Sequence, residues 1–126
     1  MKILFTDLDG TLLNNQSMVS GNTKAFLDDF IRAGNKLVLS SGRPLLSILE
    51  VKELAGLDYP GVLISASNGT LIYDCDSRTP ILEKRLPLSQ VSYLQAKARE
   101  FHLHIQTYTD DAIVTAEEDE EIHFYR

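Results

Sequence analysis

Apolar residues in this chain fall into short continuous runs separated by stretches with helical spacing. Residues 2–6, KILFT, form a run rich in strand formers, bounded by Asp7 and the turn signal Gly10, as expected of a strand covered on both faces. From Ser20, a suitable N-cap, Phe26, Phe30 and Ala33 recur at helical spacing. Leu27 and Ile31 widen that stripe, and Gly34 stands where a helix is closed by glycine. Residues 36–40, KLVLS, repeat the character of the first run, and a second helix is expected over 44–55 with Pro44 in its first turn. A third run at 61–66, GVLISA, completes an alternation of strands and helices that predicts a parallel sheet with right-handed crossovers.

The rhythm then changes. Ser67-Asn68-Gly69 is a turn signal, and LIYD at 71–74 reads as the returning strand of a hairpin. Beyond a turn-prone stretch at 75–80, a strand is expected at 81–86. A helix opening at Ser89 presents Leu94, Ala98 and Phe101 on one face, and two short strands follow at 104–109 and 112–116, around an Asp110-Asp111 turn. The expected fold class is therefore α/β: a Rossmann-like parallel-sheet core over 1–79, followed by the beginning of an α+β module over 80–126.

Composition narrows the class. With 126 residues, 44% hydrophobic and 24% charged, the chain reads as an ordinary globular domain able to bury a core. The apolar run at the N-terminus is too short for a signal segment or a membrane span, so a cytoplasmic protein without membrane contact is expected. The single cysteine, Cys75, suits a reducing compartment and suggests neither disulfide nor zinc. A net charge of -6 argues against nucleic acid as a partner, so an anionic ligand must be met locally, by backbone N–H groups, a metal or a few cations. The acidic run at 117–121 reads as a solvated segment.

The candidate chemistry sits where the first strand runs out. Asp7 and Asp9, spaced by two, place both carboxylates on one side of an extended backbone at the carboxyl edge of the sheet, where open α/β folds bind ligands. Gly10 permits a turn whose N–H groups approach an anion. One carboxylate can attack phosphorus and bind a hard cation such as Mg2+, while the other moves the proton. Asp-Gly is also a common turn pair, so the spacing alone leaves a structural role open.

The longer string FTDLDGTL at 5–12 resembles the first motif of the haloacid dehalogenase-like hydrolases. LVLSSGRP at 37–44 looks like their second motif, with the Gly-Arg-Pro typical of the Cof-type phosphatase branch, and ISASNGTLIYD at 64–74 resembles that branch's Asn-Gly hairpin. The resemblance implies a Mg2+-dependent phosphatase acting on small phosphorylated metabolites such as sugar phosphates. It makes Asp7 the nucleophile and a metal ligand, and Asp9 the acid/base, with its backbone carbonyl also on the metal. Ser41, Gly42 and Gly10 would meet the phosphoryl group, while Arg43 and Asn68 would orient substrate; for Arg43 a structural ion pair is the alternative. Thr11 would fix the loop. The later Lys and Gly-Asp pair that the family uses are not found, since Lys97 is the last lysine. The expectation is thus the N-terminal part of a larger phosphatase, poorly active alone and prone to self-association through an incomplete sheet edge or cap. A non-catalytic phosphate-, metal- or protein-binding fragment is the alternative reading.

Overall fold

The computed structural model describes residues 1–109 and 112–115. The expected Asp110-Asp111 turn and the acidic run at 117–121 lie outside the described residues. Two compact units divide between Lys84 and Arg85.

In the first unit, β1 (Ile3–Thr6), β2 (Lys36–Ser40) and β3 (Leu63–Ala66) are parallel and lie side by side in chain order, joined through α1 (Gly21–Arg32) and α2 (Leu45–Leu54). A 3-10 turn at Ser67–Gly69 reverses the chain into β4 (Leu71–Asp74), which pairs antiparallel with β3, and β5 (Thr79–Glu83) pairs antiparallel with β4. The α/β architecture is the one expected, with an antiparallel hairpin extending its three parallel strands.

Local chemistry accounts for the element ends. Ser20 caps α1, its Oγ accepting the Thr23 N–H at 3.2 Å, and Gly34 at φ +80° closes the helix. Pro44 stands at the N-cap of α2 rather than inside it, in extended conformation. β3 starts two residues later than the apolar run suggests because Gly61 sits at φ +73°, outside strand geometry. β5 lies earlier than expected, at 79–83 rather than 81–86. The reason is a tight turn: Asp74 Oδ1 accepts the Asp76 N–H at 2.9 Å, and Arg78 takes a left-handed φ of +55°, so Thr79 already stands opposite Asp74. The boundary expected at 79/80 thus falls within β5.

The core lies on one face of the sheet. Leu37, Leu39 and Ile64 point into it, with Leu27 of α1 and Ile48 of α2, all essentially fully buried, and Leu4 packs against them. The buried stripe of α1 is Leu27 with Ile31. Phe26, expected on the apolar face, is 57% exposed and stacks on Phe30 with centroids 5.8 Å apart. Among the described residues β1 pairs with β2, and its residues alternate exposed and half-buried.

A polar cluster ties α1 to the approach to β3. Lys24 Nζ bonds Asp28 Oδ1 at 2.6 Å, and the Tyr59 hydroxyl donates to the same oxygen at 2.7 Å. Lys24 Nζ lies 4.7 Å from the Tyr59 ring centroid. The Lys24 bond, then the Tyr59 bond, hold the Asp28 carboxyl below the usual carboxylate range.

In the second unit, α3 (Leu88–Phe101) follows Pro87 and has no side-chain cap, so it begins one residue before the expected Ser89. His102, at φ +53°, ends it in left-handed conformation, and the Leu103 N–H returns to the Ala98 carbonyl at 2.9 Å. β6 (Gln106–Tyr108) and β7 (Ile113–Thr115) form an antiparallel pair. No helix among the described residues is long and apolar enough to cross a membrane.

Two outcomes follow for solution measurements. Leu27→Ala removes a buried side chain between α1 and the sheet and costs about 2–5 kcal/mol in denaturant unfolding. Asp28 has a lowered folded-state pKa, so its contribution is present above its unfolded pKa of about 3.9 and is lost as pH falls through the folded value. Asp28→Asn is accordingly less stable than the parent near neutral pH, and the difference narrows on acidification; a gap that widens below pH ~4 contradicts this assignment.

Candidate active site

The segment after β1 is anchored by its leucines. Leu8, between the two aspartates, is fully buried, and Leu12 and Leu13 are buried beside it. Backbone bonds close the loop: the Leu12 N–H donates to the Asp7 carbonyl at 3.2 Å, and the Leu13 N–H to the Leu8 carbonyl at 2.9 Å. The Thr11 N–H reaches the same Leu8 carbonyl at 3.4 Å. Gly10 turns the chain at φ +71°, where a side chain is strained. With Leu8 driven inward, Asp7 and Asp9 are both left exposed, as the alternation of polar and apolar residues requires.

A second loop meets the first from the end of β2. Ser41 is buried, its N–H donating to the Ser65 carbonyl at 2.9 Å while its Oγ accepts the Arg43 N–H at 3.2 Å. The Asn68 N–H donates to the Ser41 carbonyl at 3.2 Å, and the Ser67 N–H to the Arg43 carbonyl at 2.9 Å. The hairpin turn does this with left-handed backbone at Ser67, Asn68 and Gly69, at φ +48°, +56° and +85°. Asn and Gly enter that region readily, whereas Ser67 is held in it by the surrounding bonds.

Between the loops lies a cleft of about 400 Å³ lined by Phe5, Thr6, Asp7, Ser40, Ser41, Gly42 and Asn68. Of the residues singled out in the sequence, Asp7, Ser41, Gly42 and Asn68 are therefore brought together. Gly42 owes its size to Asn68: a Cβ there would stand 3.1 Å from Asn68 Oδ1.

Asp9, Arg43 and Gly10 are not among the lining residues. Arg43 instead clasps Asp9, its Nε donating to Oδ2 at 2.7 Å and its Nη2 to Oδ1 at 2.6 Å. Its Nη1 donates to Ser47 Oγ at 3.1 Å. This bidentate bond, opposed by partial burial and aided by the positive charge, holds the Asp9 carboxyl below the usual carboxylate range. Asp9 in this arrangement is an ionised acceptor, not a proton donor. Ser47 is not singled out by the sequence, and Ser67 is marked there only as part of a turn, yet both secure Arg43; the spacing of four between Arg43 and Ser47 at the start of a helix is the signal available for the first.

Asp7 offers a carboxylate at the cleft, a donor that suits a hard cation in character. Asp7 Oδ1 already accepts the Leu8 N–H at 2.7 Å. Among the described residues no three His, Cys, Asp or Glu side chains gather as a metal site. A cation bound at Asp7 would fill its remaining positions with waters or ligand oxygens, as Mg2+ commonly does.

The family model of the haloacid dehalogenase-like hydrolases matches residues 4–126. The chain belongs to this family. The Cof-type phosphatase branch expected from SGRP and SNG stands with it. The 5-amino-6-(5-phospho-D-ribitylamino)uracil phosphatase YwtE of Bacillus subtilis is 31% identical over 119 residues, which cover 91% of this chain and 38% of that protein. The pyridoxal phosphate phosphatase YbhA of Escherichia coli is 29% identical over 113 residues, covering 90% of this chain and 40% of the relative. A haloacid dehalogenase-like hydrolase from Bacteroides thetaiotaomicron superposes with a TM-score of 0.80 at 33% identity, over 95% of this chain and 45% of that one. The chain thus spans about two fifths of the length of these curated relatives.

The contact between Gly42 and Asn68 is open to a direct check. Gly42→Ala costs about 1 kcal/mol, in the range of mild overpacking, and the cost largely disappears in the Gly42→Ala/Asn68→Ala double variant. Additive effects in urea unfolding would show that the two positions do not press on each other.

Proposed function

We propose that this chain carries the nucleophile side of a Mg2+-dependent phosphatase that hydrolyses small phosphorylated metabolites through an aspartyl-phosphate on Asp7. The observation that carries the reading is the gathering of Asp7, Ser41, Gly42 and Asn68 around one cleft at the carboxyl ends of β1 and β2. The substrate class is drawn from the relatives named for pyridoxal phosphate and for a phosphoribityl-aminouracil, both small phosphate esters.

Asp7 attacks phosphorus, forming an Asp7–phosphate bond as the bond to the leaving oxygen breaks. Ser41 and the backbone around Gly42 orient the phosphoryl oxygens, with Asn68 at the rim. Asp9 protonates the leaving oxygen and then takes a proton from the water that hydrolyses the intermediate. To do so it must first leave Arg43, whose two bonds keep it ionised, and take up a proton from solvent. Bound Mg2+, held by the Asp7 carboxylate and the Asp9 carbonyl, would offset the repulsion between Asp7 and the phosphate. Little turnover is expected from these residues alone, because charge neutralisation dominates phosphoryl transfer and the only carboxylates assigned to the site are two.

The second reading, a fragment that binds phosphate and metal without turnover, draws on the same shortage of carboxylates among the described residues. Hydrolysis of p-nitrophenyl phosphate separates the two. The phosphatase reading expects a slow Mg2+-dependent rate that falls to background in Asp7→Asn and drops about 10²-fold or more in Asp9→Asn. A rate indifferent to Asp7→Asn removes Asp7 as nucleophile. A rise in melting temperature with Mg2+ and phosphate, with no hydrolysis at all, favours the binding fragment.

A further inference from the structure

The first unit has a second cleft, at the end of the sheet away from Asp7. Leu71 and Tyr73 of β4, and Cys75 just after it, face the core side of the sheet. A tight turn, not a crossover helix, joins β3 to β4, and α2 packs on β3 beside it. The gap between α2 and β4 is a cleft of about 940 Å³, with Leu49, Tyr73 and Cys75 in its lining. Partial burial pushes the Cys75 thiol up, so it lines the cleft as a neutral, largely apolar group. Residues 58–60 precede β3, and Asp76 and Arg78 follow β4. The cleft therefore opens where the parallel strands begin, whereas Asp7 and Ser41 stand where they end.

The rim is charged, and part of that charge is already satisfied. Lys52 pairs with Asp58, and Asp76 Oδ2 accepts the Gly61 N–H at 2.8 Å. The side chains of Glu50, Glu53 and Arg78 have no partner among the described residues. Glu50, Glu53, Asp58 and Asp76 outnumber the cations Lys52 and Arg78, and α2 ends there with the negative pole of its dipole. The local field thus favours a cationic group beside Glu50 and Glu53, which lie about one helical turn apart. Arg78 supplies the complementary charge. Its backbone is held at φ +55°, where glycine or asparagine is easier, so the guanidinium is carried there at a conformational cost.

We propose that this cleft binds a small zwitterion of the α-amino acid class with an apolar side chain. The ammonium group sits at Glu50 and Glu53, the carboxylate at Arg78, and the side chain lies over Leu49 and Tyr73. An apolar floor with a few charged groups at the rim is the usual build of a small-molecule site. Opposite charges on the ligand answer both unpaired signs at once, whereas a purely anionic ligand meets the excess of carboxylates. This site is independent of the phosphatase reading.

Isothermal titration calorimetry with three probes tests it: L-phenylalanine, phenethylamine, which lacks the carboxylate, and 3-phenylpropionate, which lacks the amine. Affinity is expected to fall in that order, L-phenylalanine binding roughly tenfold or more tightly than either partial probe. Arg78→Ala weakens L-phenylalanine roughly tenfold and leaves phenethylamine unchanged, circular dichroism confirming that the variant is folded. Glu50→Gln/Glu53→Gln weakens both amines. Cys75 is the single cysteine, so its labelling by a maleimide slows when L-phenylalanine fills the cleft. Asp7→Asn leaves binding intact, which separates this site from the phosphatase cleft. The proposal is overturned if L-phenylalanine does not saturate below ~10 mM, or if 3-phenylpropionate binds as tightly. It is equally overturned if Arg78→Ala weakens both amines alike, if the double glutamine variant weakens neither, if labelling of Cys75 is unaffected, or if Asp7→Asn abolishes binding.

Discussion

The burial of Leu8 is the constraint on which the site depends. A residue with no exposed surface, set between two aspartates, forces the chain to leave β1 with Asp7 and Asp9 turned outward. Leu12 and Leu13 continue the anchoring, so the loop is held at both ends by apolar contacts and in the middle by hydrogen bonds to the Asp7 and Leu8 carbonyls. The position of the carboxylates is thus a by-product of core packing. A site built this way inherits the rigidity of a close-packed interior, which catalytic geometry needs.

The second loop is held differently, by backbone hydrogen bonds rather than burial. Ser41 and Arg43 are each bonded to the hairpin turn after β3, which adopts left-handed conformations at Ser67 and Asn68. Strain there is offset by satisfied carbonyls on the neighbouring strand end. The turn does two jobs: it reverses the chain into the antiparallel half of the sheet, and it props the loop that faces Asp7. Arg43 then reaches across to Asp9, joining both loops through a charge-assisted fork.

Belonging to the haloacid dehalogenase-like hydrolases explains why these three segments occur together, yet the physical account of their placement rests on residues within the chain. β1 carries Asp7 at its end while its outer side has no partner strand among the described residues.

Much of this was legible without coordinates. Strand-like runs at 36–40 and 71–74 coincide with β2 and β4, because continuous apolar runs between turn signals have few other uses. The motifs FTDLDGTL, SSGRP and SNG named the residues that meet at the cleft. What tertiary structure alone decided was exposure and partnership. An apolar run cannot say which strand it pairs with, and the fold sets β1 beside β2 in parallel. Helical spacing marked Phe26 and Leu27 alike, and packing against Leu37 and Leu39 chose Leu27. Asp9 was assigned with Asp7 from a spacing of two, but only the fold brings Arg43, 34 positions away, against it. Local pattern fixes which side chains are available; long-range contacts determine which of them are held, and in what charge state.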